Sequence, residues 1–302
     1  MARIVSISSL KGGVGKTSLT LGLASAALHS GLKTLVIDLD PHADASTALA
    51  VDAESTDIAA MLVGRNNRAL LDAVVPSGWN AQAGKPTLLT SRPVSGGEIM
   101  VARGSTRSAL IDTQKALPFV ARMRELIEAT GNRYDVILID CPPFQGTLTA
   151  MGWAASQRVL SVAEPSLFSV AGTERTLRAI AKMQDAADTN VEAAAVVMNK
   201  VRPQEPEHIY RCEEMRTLFG ELVAEPMLYE NPDFQRATGA AHPVHFWPDE
   251  GAVDISTRLT RLLAGLMAQV SDEEEPAKEA EVQQESADTA EVKDSQVEDS
   301  AS

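Results

Sequence analysis

The chain is poor in aromatic residues and in cysteine, and it has no long apolar run. Aromatics make up only 4% of the 302 residues, so we expect an aliphatic core of the kind found in parallel α/β sheets. The two cysteines, Cys141 and Cys212, have no metal-ligand spacing, which favours a reduced, cytoplasmic protein. No apolar run approaches ~20 residues, and the first residues lack a signal-peptide pattern, so we expect neither a spanning helix nor an export signal.

Negative charge is concentrated at the C-terminus. Residues 271–302 carry twelve acidic residues and two lysines, so they account for −10 of the net −14 and leave only −4 for the rest. This stretch is rich in Glu, Ala, Ser and Gln and has no aromatics, which predicts a disordered acidic tail. The sequence therefore predicts one domain over residues 1–270 and a tail over 271–302. A solubilising extension is the simplest role for the tail, with partner binding or autoinhibition as the alternative.

Apolar runs of strand length alternate with helical runs along most of the chain. Continuous apolar runs are typical of strands covered on both faces of a parallel sheet. The sequence therefore predicts an α/β fold with a mostly parallel, twisted sheet flanked by helices. Strand candidates are residues 4–7, 34–37, 136–139, 159–162 and 193–198, with weaker candidates at 86–89 and 222–224. Helical candidates are residues 18–28, 56–63, 67–75, 114–130, 174–187, 207–219 and 253–270, and residues 77–85 and 93–106 are predicted loops.

A glycine-rich loop joins the first strand candidate to the first helical run. Without a Cβ, its glycines let several N–H groups turn toward one anion, and the helix N-terminus that follows adds partial positive charge. Lys16 is placed to reach the β- and γ-phosphates of a nucleotide, and the Thr17 hydroxyl to bind Mg²⁺. The segment therefore predicts a phosphate-binding loop. Its residues are Lys11, Gly12, Gly13, Val14, Gly15, Lys16 and Thr17, with Ser18 opening the helical run.

Carboxylates follow two of the strand candidates. Asp140 closes the apolar run 136–139, an arrangement of the Walker B kind in which the strand holds a carboxylate beside the phosphate loop. Asp38 and Asp40 follow residues 34–37, and alternation along the backbone puts both on the same side. Ligands bind at the carboxyl edge of a parallel sheet, so we expect these side chains near the loop. Solvated turn residues or a helix cap are the alternatives.

The loop resembles the deviant Walker A motif of the ParA/MinD family of ATPases. The strict pattern G-x-x-x-x-G-K-[ST] fails because Leu10 occupies its first glycine position, whereas K-G-G-x-G-K-[ST] matches, with Lys11 as the added lysine. The segment from Asp38 to His42 resembles the family's D-x-D-P-Q motif, with His42 in place of Gln. Residues 166–172 are similar to a segment at the family's dimer side, and the resemblance covers about residues 1–270.

The resemblance implies an ATPase that binds ATP and Mg²⁺ and forms a homodimer around two nucleotides. Lys11, which has no obvious partner in its own chain, would contact the phosphates held by the other subunit, and Asp40 would orient the attacking water. Lys11, Lys16 and Asp40 are therefore the expected catalytic residues. Thr17, Asp38 and Asp140 would hold the metal. Nucleotide contacts would come from Lys11, Gly12, Gly13, Val14, Gly15, Lys16, Thr17, Ser18, Asn199 and Pro226.

Base and DNA contacts are also suggested by the resemblance. Asn199 follows the run 193–198, and its amide can both donate and accept at an adenine edge, although a plain turn residue is the alternative. Pro226 belongs to a segment similar to the family's other base-binding wall. Partition members of the family bind DNA non-specifically as ATP-bound dimers. The arginine candidates for this are Arg202, Arg236, Arg258 and Arg261.

Members of the family differ in what they position. The chain looks like the partition type, a cytoplasmic, nucleoid-associated ATPase whose hydrolysis is stimulated by a ParB-like or other partner. A MinD-like protein would instead bind membrane through a C-terminal amphipathic helix. The apolar stripe that begins at Leu259 suits lipid or a protein core, but the acidic tail would be repelled from anionic lipid, so we expect no membrane partner.

Two further alternatives stay open. One is an orphan cargo positioner that uses the same DNA-bound cycle. The other is a metabolic enzyme on the same scaffold, such as an amidoligase or a reductase component. An iron–sulfur reductase would need cysteine ligands at an interface, whereas Cys141 abuts Asp140 and Cys212 lies far along the chain.

Overall fold

The sheet is mostly parallel, as the alternation of strand and helix predicts. The computed structural model describes residues 2–63, 73–90, 94–186 and 191–268. In these ranges seven strands form one sheet in the order β3-β4-β2-β5-β1-β6-β7. All neighbours pair in parallel except the short edge pair β3 and β4, which is antiparallel. The strands are β1 (Arg3–Ser8), β2 (Lys33–Asp38), β3 (Val75–Pro76), β4 (Glu98–Ala102), β5 (Val136–Asp140), β6 (Arg158–Ala163) and β7 (Glu192–Met198).

Helices connect the strands and cover the sheet. The described α-helices are α1 (Lys16–His29), α2 (Asp44–Ala48), α3 (Ile58–Val63), α4 (Ala109–Asp112), α5 (Ala116–Glu128), α6 (Thr147–Ala155), α7 (Leu167–Ala186), α8 (Pro206–Phe219), α9 (Pro232–Gly239) and α10 (Ala252–Ala268). Short 3₁₀ turns occupy Gly78–Gln82, Thr106–Ser108, Gly220–Leu222 and Val244–Phe246. Among the described helices, none is both long and apolar enough to cross a membrane.

The central strands fix the position of the site. Every residue of β5 is buried, and β2 is buried after its first residue, because both faces of these strands are covered. The strand registers place Ile7 opposite Asp140 and Asp38 opposite Asp140. The carboxyl ends of β1, β2 and β5 therefore meet at one edge of the sheet, directly beneath the glycine loop.

Two weak strand predictions are wrong. Residues 86–89 form no strand, and the strand beside β2 is β4, which lies in a segment predicted to be a loop. Residues 220–222 form a 3₁₀ turn, and Val223 makes only an isolated bridge to Val196. Helices α6 and α9 were not predicted, and the helix predicted at 67–75 lies largely outside the described residues.

The chain divides into two units, Met1–Leu262 and a second that begins at Leu263. Of the second unit the structure describes only 263–268, the end of α10. In the first unit, Leu259 and Leu262 of the predicted apolar stripe are buried. The predicted tail at 271–302 lies outside the described residues, so the proposed boundary at residue 270 stays a prediction.

Candidate nucleotide-binding site

The glycine loop has the backbone shape of an anion cradle. Gly13 and Gly15 have φ of 78° and 93°, which residues with a Cβ rarely adopt. Gly15 is the N-cap of α1, and no side chain caps this helix. The first N–H groups of a 14-residue helix therefore stay available to a ligand.

Lys16 supplies the positive charge of this cradle. Its side chain lies at the start of α1, and the residue is only 6% exposed. Burial lowers the pKa of Lys16, while the negative charges of Asp140 and Asp40 oppose that shift. A buried ammonium group beside uncapped helix N–H groups fits a polyphosphate anion.

Asp140 is held at the same edge by hydroxyl groups from α1. The Thr17 Oγ1 donates to Asp140 Oδ2 over 2.8 Å, and Thr20 Oγ1 donates to Oδ1 over 3.0 Å. Asp140 is fully buried, and burial together with the charge of Asp38 raises the pKa of Asp140 to about 7. Thr17 and Asp140, two predicted metal residues, are therefore in direct contact.

Asp38 is buried beside Asp140 and fastened by Ser46 of α2. Ser46 donates to Asp38 Oδ2 from its hydroxyl over 2.7 Å and from its backbone N–H over 2.9 Å. The same Ser46 oxygen accepts the Gly104 N–H over 2.9 Å. A Cβ at Gly104 would lie 2.8 Å from the Asp38 carboxyl carbon, so glycine is required there. Burial raises the pKa of Asp38 to about 6, against the hydrogen bonds from Ser46.

These ligands suit a metal that the nucleotide carries. In the described residues, no group of three or more His, Cys, Asp or Glu side chains could hold a metal ion. Mg²⁺ commonly takes one or two protein ligands and fills its remaining positions with water and phosphate oxygens. Thr17, Asp38 and Asp140 fit that pattern, because Thr17 bonds to Asp140 and Asp38 lies opposite Asp140 in the sheet, so few protein oxygens meet at this point.

Asp40 lies further out than the other two carboxylates. It is half-buried, its Oδ1 accepts the His42 N–H over 3.0 Å, and its charge acts on Lys16. His42 is exposed, and Ala43 begins α2 in a left-handed conformation with φ of 57°. The segment between β2 and α2 thus keeps Asp40 partly solvated.

Lys11 has a partner in its own chain, contrary to our expectation. Its ammonium forms an ion pair with Glu164 and hydrogen bonds with Ser166 Oγ at 3.0 Å and Ser169 Oγ at 3.2 Å. These acceptors lie where β6 ends and α7 begins, within and beside the predicted dimer-side segment. The Lys11 side chain therefore points away from the cradle that its own loop forms.

The end of β7 contacts the loop from outside. Asn199 Nδ2 donates to the Val14 carbonyl over 2.9 Å, and Lys200 Nζ donates to the Gly13 carbonyl over 2.7 Å. One N–H of the Asn199 amide is thus directed at the loop, and its predicted contact with a base stays a prediction. The cavity beside it is lined by residues that include Ser18, Leu228, Tyr229 and Phe234. Pro226, half-buried, is absent from its described lining.

Three of the four predicted DNA-binding arginines are in ion pairs. Arg202 pairs with Glu230 at 2.7 Å, and Arg258 pairs with Asp254 at 2.7 Å while lying over the Tyr229 ring. Arg236 pairs with Asp233 and with Asp249. Arg261 is exposed and has no ion pair within the described part of the chain. The predicted surface is therefore closer to neutral than its arginine content suggests.

Comparison with known proteins decides the family. A family model described as an AAA domain matches residues 2–193. The chain is 24% identical to the sporulation initiation inhibitor protein Soj of Bacillus subtilis, over 81% of this chain and 90% of that protein. It is 25% identical to the chromosome partitioning protein ParA of Caulobacter vibrioides, over 80% of this chain and 86% of that protein. The chain belongs to the ParA/MinD family of P-loop ATPases.

A solved structure supports the same fold. A variant of Cyanothece McdA in complex with ATP superposes with a TM-score of 0.74 at 16% identity, covering 88% of this chain and 96% of that one. As a member of this ATPase family the chain takes ATP and Mg²⁺ as cofactors, and the cradle, Lys16 and the Thr17–Asp140 pair fit both.

Several site residues escaped the sequence analysis. Thr20, Ser46, Glu164 and Lys200 contact the loop, Asp38, Asp140 or Lys11, and the Gly104 N–H donates to Ser46. Lys200 directly follows the predicted Asn199, and Thr20 lies one helical turn after Lys16, so spacing alone could have indicated these two. Ser46 lies eight residues after Asp38, whereas Gly104 and Glu164 come from distant segments that no local pattern marks.

Proposed function

We propose that this ATPase forms an ATP-sandwich homodimer, binds DNA non-specifically and positions DNA or another cargo through hydrolysis stimulated by a ParB-like or other partner. Its ATPase domain would be residues 1–270, with the acidic tail at 271–302, in a cytoplasmic, nucleoid-associated protein. The name of its relative ParA of Caulobacter vibrioides, a chromosome partitioning protein, supports a role in partitioning.

The observation that carries the proposal is the position of Lys11. Its ammonium lies at the start of α7, outside the cradle of its own loop. Beside it, Leu167 and Phe168 are 56% and 75% exposed, which is unusual for large apolar side chains that follow a buried strand. A second copy of the chain would cover these side chains and would receive Lys11 at its own phosphates.

Each site residue then has a definite task. Lys16 and the N–H groups of the loop bind the phosphates, and Thr17, Asp38 and Asp140 hold Mg²⁺. Bound Mg²⁺ would neutralise phosphate charge that develops during hydrolysis. Asp40 orients the attacking water, and Lys11 from the other subunit adds positive charge where the phosphoryl group departs.

The DNA part of the proposal rests on a small number of cations. Arg261 is exposed and has no ion pair among the described residues, whereas Arg202, Arg236 and Arg258 are paired with acidic neighbours. A homodimer would carry two copies of each of these arginines. Such binding would be weak and strongly dependent on salt, since it comes from phosphate contacts.

Three variants test the ATPase cycle. Lys16→Ala should abolish ATP binding in calorimetry, while Asp40→Ala should bind ATP but not hydrolyse it. Asp40→Ala with ATP should form a dimer in light scattering, and adding Lys11→Ala to it should block dimer formation. Equal ATP affinity in wild type and Lys16→Ala would overturn the loop assignment, and a monomer at saturating ATP would overturn the sandwich dimer.

DNA and membrane are tested side by side. Asp40→Ala is mixed with random duplex DNA or with anionic liposomes, with and without ATP, at low salt. We expect ATP-dependent binding to DNA that collapses at moderate salt, and no sedimentation with liposomes. Sedimentation with liposomes and no DNA binding would replace the partition role with a MinD-like one. Binding to neither would favour a metabolic enzyme on the same scaffold.

A further inference from the structure

Asn199 and Lys200, which directly follow β7, donate hydrogen bonds to two successive carbonyl groups of the phosphate loop. Lys200 Nζ donates to the Gly13 carbonyl at 2.7 Å, and Asn199 Nδ2 donates to the Val14 carbonyl at 2.9 Å. These partners are 187 and 185 residues away in the chain. Asn199 is itself anchored, because its backbone N–H donates to the Ala163 carbonyl at the end of β6 over 2.7 Å.

Peptide geometry links these carbonyls to the cradle. In a planar trans peptide unit the C=O and the N–H point in opposite directions. The Gly13 carbonyl shares its unit with the Val14 N–H, and the Val14 carbonyl shares its unit with the Gly15 N–H. Holding both carbonyls toward Asn199 and Lys200 therefore turns the N–H groups of Val14 and Gly15 to the opposite side of the loop.

Both of these N–H groups are without a partner in the described part of the chain. No hydrogen bond donated by the Val14 or Gly15 N–H occurs among the described residues, although Val14 is fully buried. Buried backbone N–H groups are nearly always paired, so the unpaired Val14 N–H points to a ligand that supplies the acceptor, with the N–H of the half-buried Gly15 beside it. A polyphosphate supplies such acceptors.

The contact between the phosphate loop and the residues after β7 constrains both segments. A Cβ at Gly15 would lie 2.2 Å from Asn199 Nδ2, so the loop can approach this amide only with glycine at that position. Lys200 holds a left-handed backbone conformation with φ of 55°, which is disfavoured for a residue with a Cβ. Asn or Gly would adopt that conformation more easily, but neither could reach the Gly13 carbonyl.

We propose that Asn199 and Lys200 are positioning residues that orient the N–H groups of Val14 and Gly15 toward the phosphates of the bound nucleotide. This inference rests on the ATP site described above and gives Asn199 a role toward the phosphate loop, which is separate from its predicted contact with the adenine base. Because the two residues act through the loop backbone, their effect is the same for any ligand with the same phosphate chain.

The test compares three ligands that share a polyphosphate and differ in the base. Full-length wild type, Asn199→Ala, Lys200→Met and Lys200→Arg are titrated with ATP, GTP and base-free tripolyphosphate, each with Mg²⁺, by displacement of a fluorescent ADP. We expect Asn199→Ala and Lys200→Met to weaken all three ligands by the same factor, about tenfold for one lost hydrogen bond to a charged or amide donor. Lys200→Arg should restore affinity, because a guanidinium also donates to a carbonyl.

Matched controls separate positioning from general damage. Lys182→Met removes an exposed lysine of α7 and should change none of the three affinities. The melting temperature without nucleotide should be nearly the same for Lys200→Met and wild type. If Asn199→Ala folds poorly, the comparison of Lys200→Met with wild type is therefore sufficient for the test.

The outcomes are distinct. A loss confined to ATP would show that Asn199 reads the base and would overturn the inference, as would variants that bind all three ligands like wild type. A wild type that binds no nucleotide would instead overturn the ATP site itself.

Discussion

The Lys11 ammonium and the Glu164 carboxylate form an ion pair across the gap between the phosphate loop and the end of β6. Their side chains are 24% and 29% exposed, and the hydroxyls of Ser166 and Ser169 complete the set of acceptors around the ammonium. In the proposed dimer Lys11 must leave this set to reach the other subunit. The ion pair therefore competes with dimer formation.

Replacing Glu164 by Gln should make dimerisation easier. The substitution keeps a hydrogen-bond acceptor but removes the charge, and a partly exposed ion pair contributes about 1 kcal/mol. In the Asp40→Ala background, Glu164→Gln should dimerise at an ATP concentration about fivefold lower, measured by light scattering. Glu207→Gln, which removes the exposed partner of Arg211, is the control and should leave the midpoint unchanged. A higher midpoint in Glu164→Gln would show that Glu164 supports the dimer.

Local patterns were sufficient for the central sheet and the phosphate loop. Strands β1, β2 and β5 are continuous apolar runs, and a glycine loop between a strand and a helix has few other uses. Strand β4 was missed because two glycines, Gly96 and Gly97, stand directly before it and gave the segment the composition of a loop. Composition cannot show that residues 98–102 lie beside β2, where they pair as a strand.

Contacts between distant segments were not predictable. Glu164 lies 153 residues from Lys11, and Asn199 lies 185 residues from Val14. Their proximity follows from the strand order, in which β6 lies next to β1 and β7 lies next to β6, and no rule of sequence spacing predicts that order. The ion pair of Arg202 with Glu230 likewise joins separate segments. That of Arg258 with Asp254 is an i,i+4 pair on one helix, which sequence spacing does indicate.

Replacing Asp140 by Asn should stabilise the nucleotide-free protein while removing its response to Mg²⁺. Burial and the charge of Asp38 raise the pKa of Asp140 to about 7, well above its value in an unfolded chain. The folded state therefore binds more protons than the unfolded state between about pH 4 and 7, and the stability this gives is lost as pH rises through 7. At pH 8 in EDTA, Asp140→Asn should melt higher by several degrees, on the order of 2–4 °C per kcal/mol for a domain of this size.

The rise in melting temperature of Asp140→Asn over wild type should be smaller at pH 5, where Asp140 of the wild type is protonated in the folded state. Differential scanning calorimetry at the two pH values measures this difference. Asp185→Asn, on the exposed surface of α7, is the control and should show no such dependence. A lower melting temperature for Asp140→Asn at pH 8 would mean that the bonds from Thr17 and Thr20 outweigh the buried charge.

Releasing an arginine from its ion pair should strengthen DNA binding. Glu230→Gln removes the carboxylate that holds Arg202 at 2.7 Å and leaves the arginine free to contact phosphate. Anisotropy of a labelled random duplex, measured with ATP in the Asp40→Ala background, should show tighter binding and a slope of log K against log salt that is steeper by about 0.9 for each added phosphate contact.

The complementary change is Arg261→Ala, which should weaken DNA binding and make the slope of log K against log salt less steep. Glu230 also lines the cavity beside Ser18, so the ATP affinity of Glu230→Gln is measured in parallel and should equal that of wild type. Unchanged salt slopes in both variants would place the DNA contacts elsewhere on the dimer.

His245 should make the fold sensitive to acid. Its ring is buried between α1 and α10, where Nδ1 contacts Ser25 Oγ at 2.8 Å and Nε2 contacts the Ser256 carbonyl at 3.0 Å and Thr260 Oγ1 at 3.1 Å. Burial, with a smaller contribution from His29, lowers the pKa of His245 to about 3. The folded state therefore keeps the ring neutral at a pH where the unfolded chain protonates it.

The sign follows from proton binding. Between about pH 3 and 6.5 the unfolded chain binds more protons at this position, so stability falls as pH falls below 6.5, by about 2 kcal/mol at pH 5. Asp38 and Asp140 act in the opposite direction in part of the same range, so the measurement compares variants at each pH. The urea midpoint of His245→Gln should be lower than that of wild type at pH 7.5, because buried hydrogen bonds are lost, and the gap should narrow at pH 5. His208→Gln, on α8 away from this cluster, is the control, and a constant gap for His245→Gln would show that the ring does not set the acid response.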